Sequence, residues 1–123
     1  MECPTYLCGL DAAVDVVGGK WKTLILWALS VKPRRFGELR RDVEGVSEKV
    51  LIQQLRELER DEIVHREVHQ QVPPKVVYSL TPLGITLNAA LEPLGRWGDE
   101  HMARITATRS GSAPRGEHLQ PQR

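Results

Sequence analysis

The sequence lacks any apolar run long enough to cross a membrane. Its strongest run, residues 24–29, is far shorter than the roughly 18 to 20 residues that a helical span needs. The N-terminus has neither a basic leader nor a long apolar segment, so we expect no secretory signal and a cytoplasmic location. Cysteine is scarce as well, and the two present are expected to be reduced thiols rather than a structural disulfide.

An excess of charge of one sign is also absent. The 123 residues include 17 lysines and arginines against 16 aspartates and glutamates, and the formal net charge is +1. Overall charge therefore does not indicate a nucleic-acid partner, and an argument for DNA binding must rest on where the cations lie. The length suits one domain with a single core.

Signatures of catalysis are missing too. We find no glycine-rich phosphate loop, no nucleophile elbow and no paired carboxylates arranged for acid–base chemistry. His65 and His69 would share a strand face, but about 13 Å of strand would separate them, which is too far for one metal ion. The sequence predicts a protein that is not an enzyme and that holds no metal or cofactor.

What the sequence contains is an ordered series of helical and β-rich segments. Apolar residues recur at helical spacing before and after two β-rich runs. Gly45 permits a tight turn, Val72-Pro73-Pro74 forms a hairpin tip, and Pro93 should kink or split the last helix. The predicted segments are helices at residues 10–17, 20–30, 34–41 and 47–61, strands at 63–68 and 75–80, and a last helix from 81.

Helix, tight turn, helix and hairpin, in this order, are the layout of a winged helix-turn-helix, whose second helix enters the major groove of DNA. We therefore predict a mainly α fold with a small β-hairpin, of the α+β class. Residues 1–105 would form the DNA-binding and dimerisation domain. Residues 106–123, rich in Ser, Gly, Pro, Gln and Arg, are predicted to be a disordered basic tail.

The predicted helix at residues 47–61 has one apolar and one polar face. Leu51, Leu55 and Leu58 recur at helical spacing and must pack on the core. Ser47 suits the N-cap, because its hydroxyl can accept from an amide of the first turn. The opposite face, which carries no carboxylate in this prediction, consists of Lys49, Gln53, Arg56 and Arg60.

These polar side chains have the chemistry for reading bases, because Arg and Lys pair with guanine and Gln pairs with adenine. Cations before this helix and on the hairpin could grip phosphates, which fixes register without reading sequence. Each could also be a solvated surface group, and acidic neighbours suggest that only some of the arginines at 34–41 touch DNA. A winged-helix module that binds proteins and never DNA is the alternative. The predicted DNA contacts are Arg34, Arg35, Arg40, Arg41, Ser47, Lys49, Gln53, Gln54, Arg56, Arg60, Arg66 and Lys75.

The last predicted helix carries an apolar stripe that is too long for a small core to absorb. We expect a homodimer interface there, formed by Leu87, Leu91, Leu94 and Trp97. Two recognition helices would then enter successive major grooves of a pseudo-palindromic operator with half-sites about 10 bp apart. Such a protein would be associated with the nucleoid.

Several short runs in a fixed order resemble the HxlR-type branch of the MarR-like winged-helix transcription regulators, over about residues 3–101. The resemblance implies a homodimeric bacterial regulator that reads DNA with its fourth helix and dimerises through its N- and C-terminal helices. It also implies that a cysteine near the N-terminus, matching Cys3, senses electrophiles or oxidants. The runs are Cys3-Pro4, Gly18-Gly19-Lys20-Trp21-Lys22, residues 34–41, Lys49-Val50-Leu51, Leu55-Arg56-Glu57-Leu58-Glu59, Val72-Pro73-Pro74-Lys75-Val76, Tyr78-Ser79-Leu80-Thr81 and Trp97-Gly98-Asp99-Glu100-His101.

The chain departs from this family pattern at three places. Ile52 stands where a threonine is common in the recognition helix, and it could meet a thymine methyl group or be buried. Glu62-Ile63 replaces Gly-Leu before the first strand, which predicts a less sharply turned corner. In the wing, His69-Gln70-Gln71 replaces Tyr-Pro-Glu, which alters the groups near the tip.

Cys3 and Cys8 are the two candidate redox-sensing residues. An internal disulfide needs an irregular segment between them, because five helical residues rise about 7.5 Å and the Cα–Cα limit is roughly 7 Å. A bridge between subunits is the other route. Reactivity requires thiolate, which a nearby helix N-terminus favours, and Cys8 lies just before the first predicted helix. Two unreactive thiols remain the alternative.

Overall fold

The computed structural model describes residues 6–111. The chain divides between Asn88 and Ala89 into two compact units. The predicted α+β fold, with helix, turn, helix and hairpin, is confirmed. No helix in the described part of the chain is both long and apolar enough to cross a membrane. The elements are α1 (Gly9–Val17), α2 (Lys20–Val31), β1 (Arg34–Arg35), α3 (Phe36–Asp42), α4 (Glu48–Arg60), β2 (Val64–His69), β3 (Lys75–Leu80) and α5 (Pro82–Ser110).

The core of the first unit is built from α2, α3, α4 and the start of β2. Leu26 of α2 and Leu39 of α3 are fully buried. Leu51, Leu55 and Leu58 of α4 are 0%, 2% and 0% exposed, which confirms the apolar face predicted for this helix. Burying a leucine side chain stabilises a fold by about 1.5 to 3 kcal/mol. The rotation of α4 about its own axis is therefore strongly specified.

A short turn connects α3 to α4. Gly45 has φ +93°, a left-handed conformation that glycine adopts without steric cost, and Val46 is buried beside it. Ser47 then caps α4, because its hydroxyl oxygen accepts a hydrogen bond from the Val50 amide at 3.2 Å. Both the glycine turn and the serine cap follow the sequence prediction.

The two predicted strands form the wing hairpin. β2 and β3 are antiparallel, with Val64 opposite Leu80 and His69 opposite Lys75. Exposed residues 70–74 join them, so the tip keeps its two prolines out of the ladder of backbone hydrogen bonds, as predicted.

The prediction that Arg34 and Arg35 begin the third helix is wrong. They form β1, which pairs with the free edge of β3 opposite Tyr78 and Val77 and completes a sheet of order β1-β3-β2. Because these hydrogen-bond partners lie far along the chain, the residues around Arg34 and Arg35 carry no sequence pattern that indicates a strand. α3 begins only after this strand, and the Arg35 amide donates to the Glu38 carboxylate at 2.8 Å to close its first turn.

The corner between α4 and β2 is turned sharply, so the prediction of a gentler corner is wrong. Glu62 has φ +64°, in the left-handed region that glycine favours. Its amide donates to the Glu59 carbonyl oxygen at 2.9 Å, and its own carbonyl oxygen accepts from the Thr81 hydroxyl at 2.6 Å. These contacts hold a non-glycine residue in a conformation that it rarely adopts.

α5 begins where the wing returns to the core. The Thr81 hydroxyl oxygen accepts from the Gly84 amide at 2.9 Å, which confirms Thr81 as the cap. Gly84 is buried against the backbone of Ile63, and a Cβ added there would overlap the Ile63 carbonyl oxygen. Only glycine therefore fits this crossing without a shift of the backbone.

α5 is longer and more continuous than predicted. It runs through Pro93 without being split, because the proline removes one backbone hydrogen bond while the helical turns on both sides persist. It continues to Ser110, so residues 106–110 are helical and the boundary predicted for the tail comes too early. Within this last part of the helix, the Thr108 hydroxyl donates to the Arg104 carbonyl oxygen one turn earlier, at 2.9 Å. The predicted tail beyond residue 111 lies outside the described residues.

Candidate nucleic-acid interface

The outward face of α4 forms one continuous surface. Lys49, Gln53, Arg56 and Arg60 are exposed, as the periodicity predicted. Gln54 is half-buried and lies outside the depression that this face forms. Ser47, the capping residue, is exposed at the start of the same helix. The residues that line the depression are Glu48, Lys49, Ile52, Gln53, Arg56, Glu57 and Arg60.

Carboxylates interrupt this face, which corrects the prediction that it carries none. Glu57 shares the surface with Gln53, and the Gln53 amide nitrogen donates to Glu57 Oε2 at 3.2 Å. The other oxygen of Glu57 accepts from Lys22 Nζ of α2 at 2.7 Å. Hydrogen bonds from Lys22 and Gln53, with the charge of Lys22, lower the pKa of Glu57. Glu57 is thus an ionised acceptor between a buried lysine and a surface amide.

Ile52 lies on the polar face and is half-buried there. Sequence reasoning left open whether this side chain meets DNA or the core. Its place among the depression residues puts an aliphatic group between Glu48 and Arg56 on the surface. Such a group can contact the methyl of a thymine in the major groove.

The four predicted phosphate-binding arginines differ in their availability. Arg34 is largely internal: its Nε donates to the Ala28 carbonyl oxygen at 3.3 Å and lies 3.5 Å from an Asp42 carboxylate oxygen. Arg40 faces the Glu48 carboxylate at 3.8 Å. Arg35 and Arg41 are exposed, and neither makes an ion pair with any residue in the described range. The free positive charge therefore sits mainly on Arg35 and Arg41.

The wing offers a weaker set of cations. Arg66 of β2 is exposed, whereas Lys75 of β3 is half-buried. His69 Nε2 lies 3.8 Å from a Glu67 carboxylate oxygen, so an acidic group accompanies the basic ones. Residues 70–74, at the tip, are exposed.

Apolar side chains on three helices remain in contact with solvent. Leu94 and Trp97, two of the predicted dimer residues, are 63% and 54% exposed, while Leu87 and Leu91 are half-buried. Sequence reasoning missed further members of this exposed apolar set on the first two helices. The signal was present, because positions 24, 27 and 31 repeat at a spacing of three and four. We define the exposed apolar set as Leu10 and Val14 of α1, Leu24, Trp27 and Val31 of α2, and Leu94, Trp97 and Met102 of α5 beyond residue 88; Leu83 and Ile85, near the start of α5, are exposed as well.

Of the two thiols, Cys3 lies outside the described residues. Cys8 is exposed and is the N-cap of α1, as its predicted position before the first helix implied. The segment beside it is tied to α1, since the Tyr6 hydroxyl donates to Asp15 at 2.6 Å and the Leu7 amide donates to Asp11 at 3.0 Å. The hydrogen bond to Asp15 raises the pKa of Tyr6. Within residues 6–111, no cluster of three or more His, Cys, Asp or Glu side chains is placed to hold a metal ion.

Comparison with known proteins points in one direction. The family model for HxlR-like helix-turn-helix proteins matches residues 16–106. YdeP of Bacillus subtilis (strain 168), an uncharacterized HTH-type transcriptional regulator, is 44% identical over 98 residues, covering 80% of this chain and 77% of YdeP. The redox regulator HypR in its reduced form superposes with a TM-score of 0.76 at 41% identity, covering 81% of this chain and 99% of HypR. Diamide-treated YodB from B. subtilis superposes with a TM-score of 0.66 at 35% identity, covering 78% and 96%.

Proposed function

The chain belongs to the HxlR-like helix-turn-helix family, and we propose that it is a sequence-specific DNA-binding transcriptional regulator rather than an enzyme. The observation that carries the proposal is the orientation of α4. Its leucines are locked in the core, and its cations and amides are held outward along one open surface. As a DNA-binding regulator it would act on the nucleoid, in the cytoplasm.

α4 would enter the major groove with its exposed face toward the base edges. Lys49 and Arg56 would pair with guanine acceptors, and Gln53 would pair with adenine. Arg35 and Arg41 would bind backbone phosphates beside the groove, and Arg66 would do so from the wing. Arg34 is the weakest candidate, because its guanidinium is already engaged within the protein.

The test is to capture genomic fragments with the protein and to map the protected sequence. We expect an inverted repeat with half-sites about 10 bp apart. Gln53→Ala should relax specificity, with each lost base contact worth about 1 to 3 kcal/mol. Arg41→Ala should weaken binding to all sequences alike and lower the salt slope, whereas Arg104→Ala on α5 serves as the matched control.

A winged-helix module that binds only proteins is the second candidate. It would show no salt-dependent DNA binding and no protected sequence. Binding that is weak and indifferent to sequence would favour that module over a regulator. Release of counterions from DNA makes the two cases easy to separate, since affinity falls steeply with salt only when phosphates are contacted.

We also propose that two copies of the chain associate through the exposed apolar set of α1, α2 and α5. Contiguous apolar surface is unusual on a monomer, and exposed Leu24, Trp27 and Val31 follow one another at helical spacing along one side of α2. Trp27, 66% exposed, is the largest of them on α2, so Trp27→Lys should shift the protein to a monomer in sedimentation velocity at micromolar concentration. Val68→Lys on the wing is the control. Sedimentation of the wild type as a monomer would contradict the dimer.

Redox control is the third part of the proposal. Its support is the exposed Cys8 at the start of α1, the match of Cys3 to a cysteine position that senses oxidants in the family, and the redox regulator among the similar structures. Treatment with diamide should change operator affinity, and Cys3→Ser and Cys8→Ser should identify the responsible thiol. Unchanged affinity after complete oxidation would end this part of the proposal.

A further inference from the structure

We propose that Glu57, anchored by the buried Lys22, is a positioning residue that sets which way the Gln53 amide faces DNA. The inference rests on the proposed function, because it concerns how the α4 surface discriminates bases. DNA is an anion, so a carboxylate on the surface that faces it is unexpected. We assign Glu57 a role in distinguishing one base from another.

The first observation is the burial of Lys22. The residue is 6% exposed, and its Nζ lies 2.7 Å from Glu57 Oε1. A buried ammonium is unfavourable without a partner of opposite charge, so Lys22 strongly favours an ionised Glu57 at this point. The Glu57 side chain is 27% exposed, which leaves its second oxygen at the α4 surface. A carboxylate of the recognition helix is therefore held in place from α2.

The second observation is the contact of that free oxygen. Glu57 Oε2 accepts from the Gln53 amide nitrogen at 3.2 Å. An ionised carboxylate can only accept hydrogen bonds, so it selects the nitrogen of the amide and turns the amide oxygen away. The two possible orientations of a glutamine amide are thus no longer equivalent. The lowered pKa of Glu57 keeps the carboxylate ionised in this role.

The orientation matters because adenine is read by an acceptor and a donor together. An amide nitrogen carries two hydrogens, and Glu57 takes one of them. Gln53 keeps its carbonyl oxygen and one N–H, which are the groups that bind the adenine N6 and N7 positions. Fixing the side chain before binding reduces the rotamer freedom lost when the complex forms. The negative charge of Glu57 repels phosphates in every sequence, so it weakens general affinity while it sharpens discrimination.

The variant Glu57→Gln tests this directly. Lys22 would hold the oxygen of the new amide, whose nitrogen would then face Gln53 and favour the reversed Gln53 orientation. We expect discrimination at the base pair read by Gln53, located with Gln53→Ala, to fall roughly 5- to 100-fold. Affinity for unrelated DNA should rise, since one negative charge is removed. Adding Gln53→Ala to this variant should cause no further loss of discrimination.

The matched control is Glu59→Gln. Glu59 lies on the same helix, outside the depression, and its side chain makes no ion pair or hydrogen bond within the described residues. Glu59→Gln removes the same charge as Glu57→Gln and should leave discrimination at the base pair read by Gln53 intact. A DNA-independent measurement is NMR of the Gln53 side-chain amide: one proton should exchange slowly in the wild type, and that protection should be lost in Glu57→Gln.

The possible outcomes are distinct. Full discrimination in Glu57→Gln, or an equal loss of affinity for all sequences, would overturn the positioning role while leaving the regulator proposal in place. Rapid exchange of both Gln53 amide protons in the wild type would overturn it as well, even if the variant failed to fold. Absence of any sequence preference in the wild type would defeat the proposed function itself, and this inference with it.

Discussion

Replacing Glu62 with glycine should make the protein more stable. Glu62 holds φ +64° between α4 and β2, and its backbone amide and carbonyl groups are both hydrogen-bonded. Those bonds do not involve the side chain, so Glu62→Gly keeps them. The substitution removes only the side chain, whose Cβ is the source of the steric conflict in this conformation.

The magnitude follows from two opposing terms. A non-glycine residue in the left-handed region costs about 1 to 2 kcal/mol, which the substitution relieves. Glycine loses more backbone entropy on folding than other residues, which costs about 0.5 to 1 kcal/mol. The net gain therefore lies between about 0 and 1.5 kcal/mol, with a midpoint of about 0.75 kcal/mol. For a domain of this size the midpoint corresponds to a rise in Tm of roughly 2 to 5 °C.

Urea and thermal unfolding at a fixed protein concentration would measure the change, because association also shifts apparent stability. Glu62→Ala removes the same charge but keeps the Cβ, so its stability should stay within about 0.5 kcal/mol of the wild type. Glu100→Gly, in the middle of α5, should lower stability by about 0.5 to 1 kcal/mol. A Glu62→Gly protein that is less stable than Glu62→Ala would refute the reasoning.

Three further predictions concern packing and charge. Gly84→Ala should destabilise the fold by about 1 to 3 kcal/mol in urea unfolding, because the added Cβ would overlap the Ile63 carbonyl oxygen. The control is Gly95→Ala on the same helix, where the added Cβ meets open space, so this substitution should be neutral or stabilising. Leu55→Ala, at a site 2% exposed, should cost about 2 to 5 kcal/mol by the same assay. Because folding lowers the pKa of Glu57, its ionised carboxylate stabilises the folded state at pH values above its unfolded-state pKa of about 4.3. That stabilisation is lost as the pH falls through the lower pKa of the folded state. Glu57→Gln should therefore flatten the acid side of the stability profile in thermal melts between about pH 2 and pH 7.

The faces of α4 were predictable because the signal is local. Leucines that repeat at helical spacing must share one side, and a large hydrophobic gain fixes that side in the core. The cap at Ser47 and the glycine turn at Gly45 were predictable for the same reason, since each depends on neighbouring backbone groups. The wing hairpin followed from two β-rich runs bounded by turn signals, with the two prolines at the tip.

The errors fall where distant partners decide the outcome. Arg34 and Arg35 read as helical, but hydrogen bonds to β3 make them a strand. Glu62 reads as a poor corner residue, yet a threonine from the far side of the wing holds its carbonyl group in the sharp turn. Pro93 is a separate case: of the kink or split predicted there, the split is wrong, because α5 continues through the proline.

The sequence by itself determined the order of the helices and of the wing hairpin, and which side of the recognition helix faces outward, because hydrophobic periodicity is a property of neighbouring residues. Only the tertiary structure decided which of the outward groups are free. In the sequence, Glu57 is one of several carboxylates of α4. In the structure, the Lys22 ammonium of α2 lies 2.7 Å from one oxygen of Glu57, and the other oxygen accepts from Gln53. Electrostatic pairing depends on distance in space, which the spacing of residues along the chain does not record.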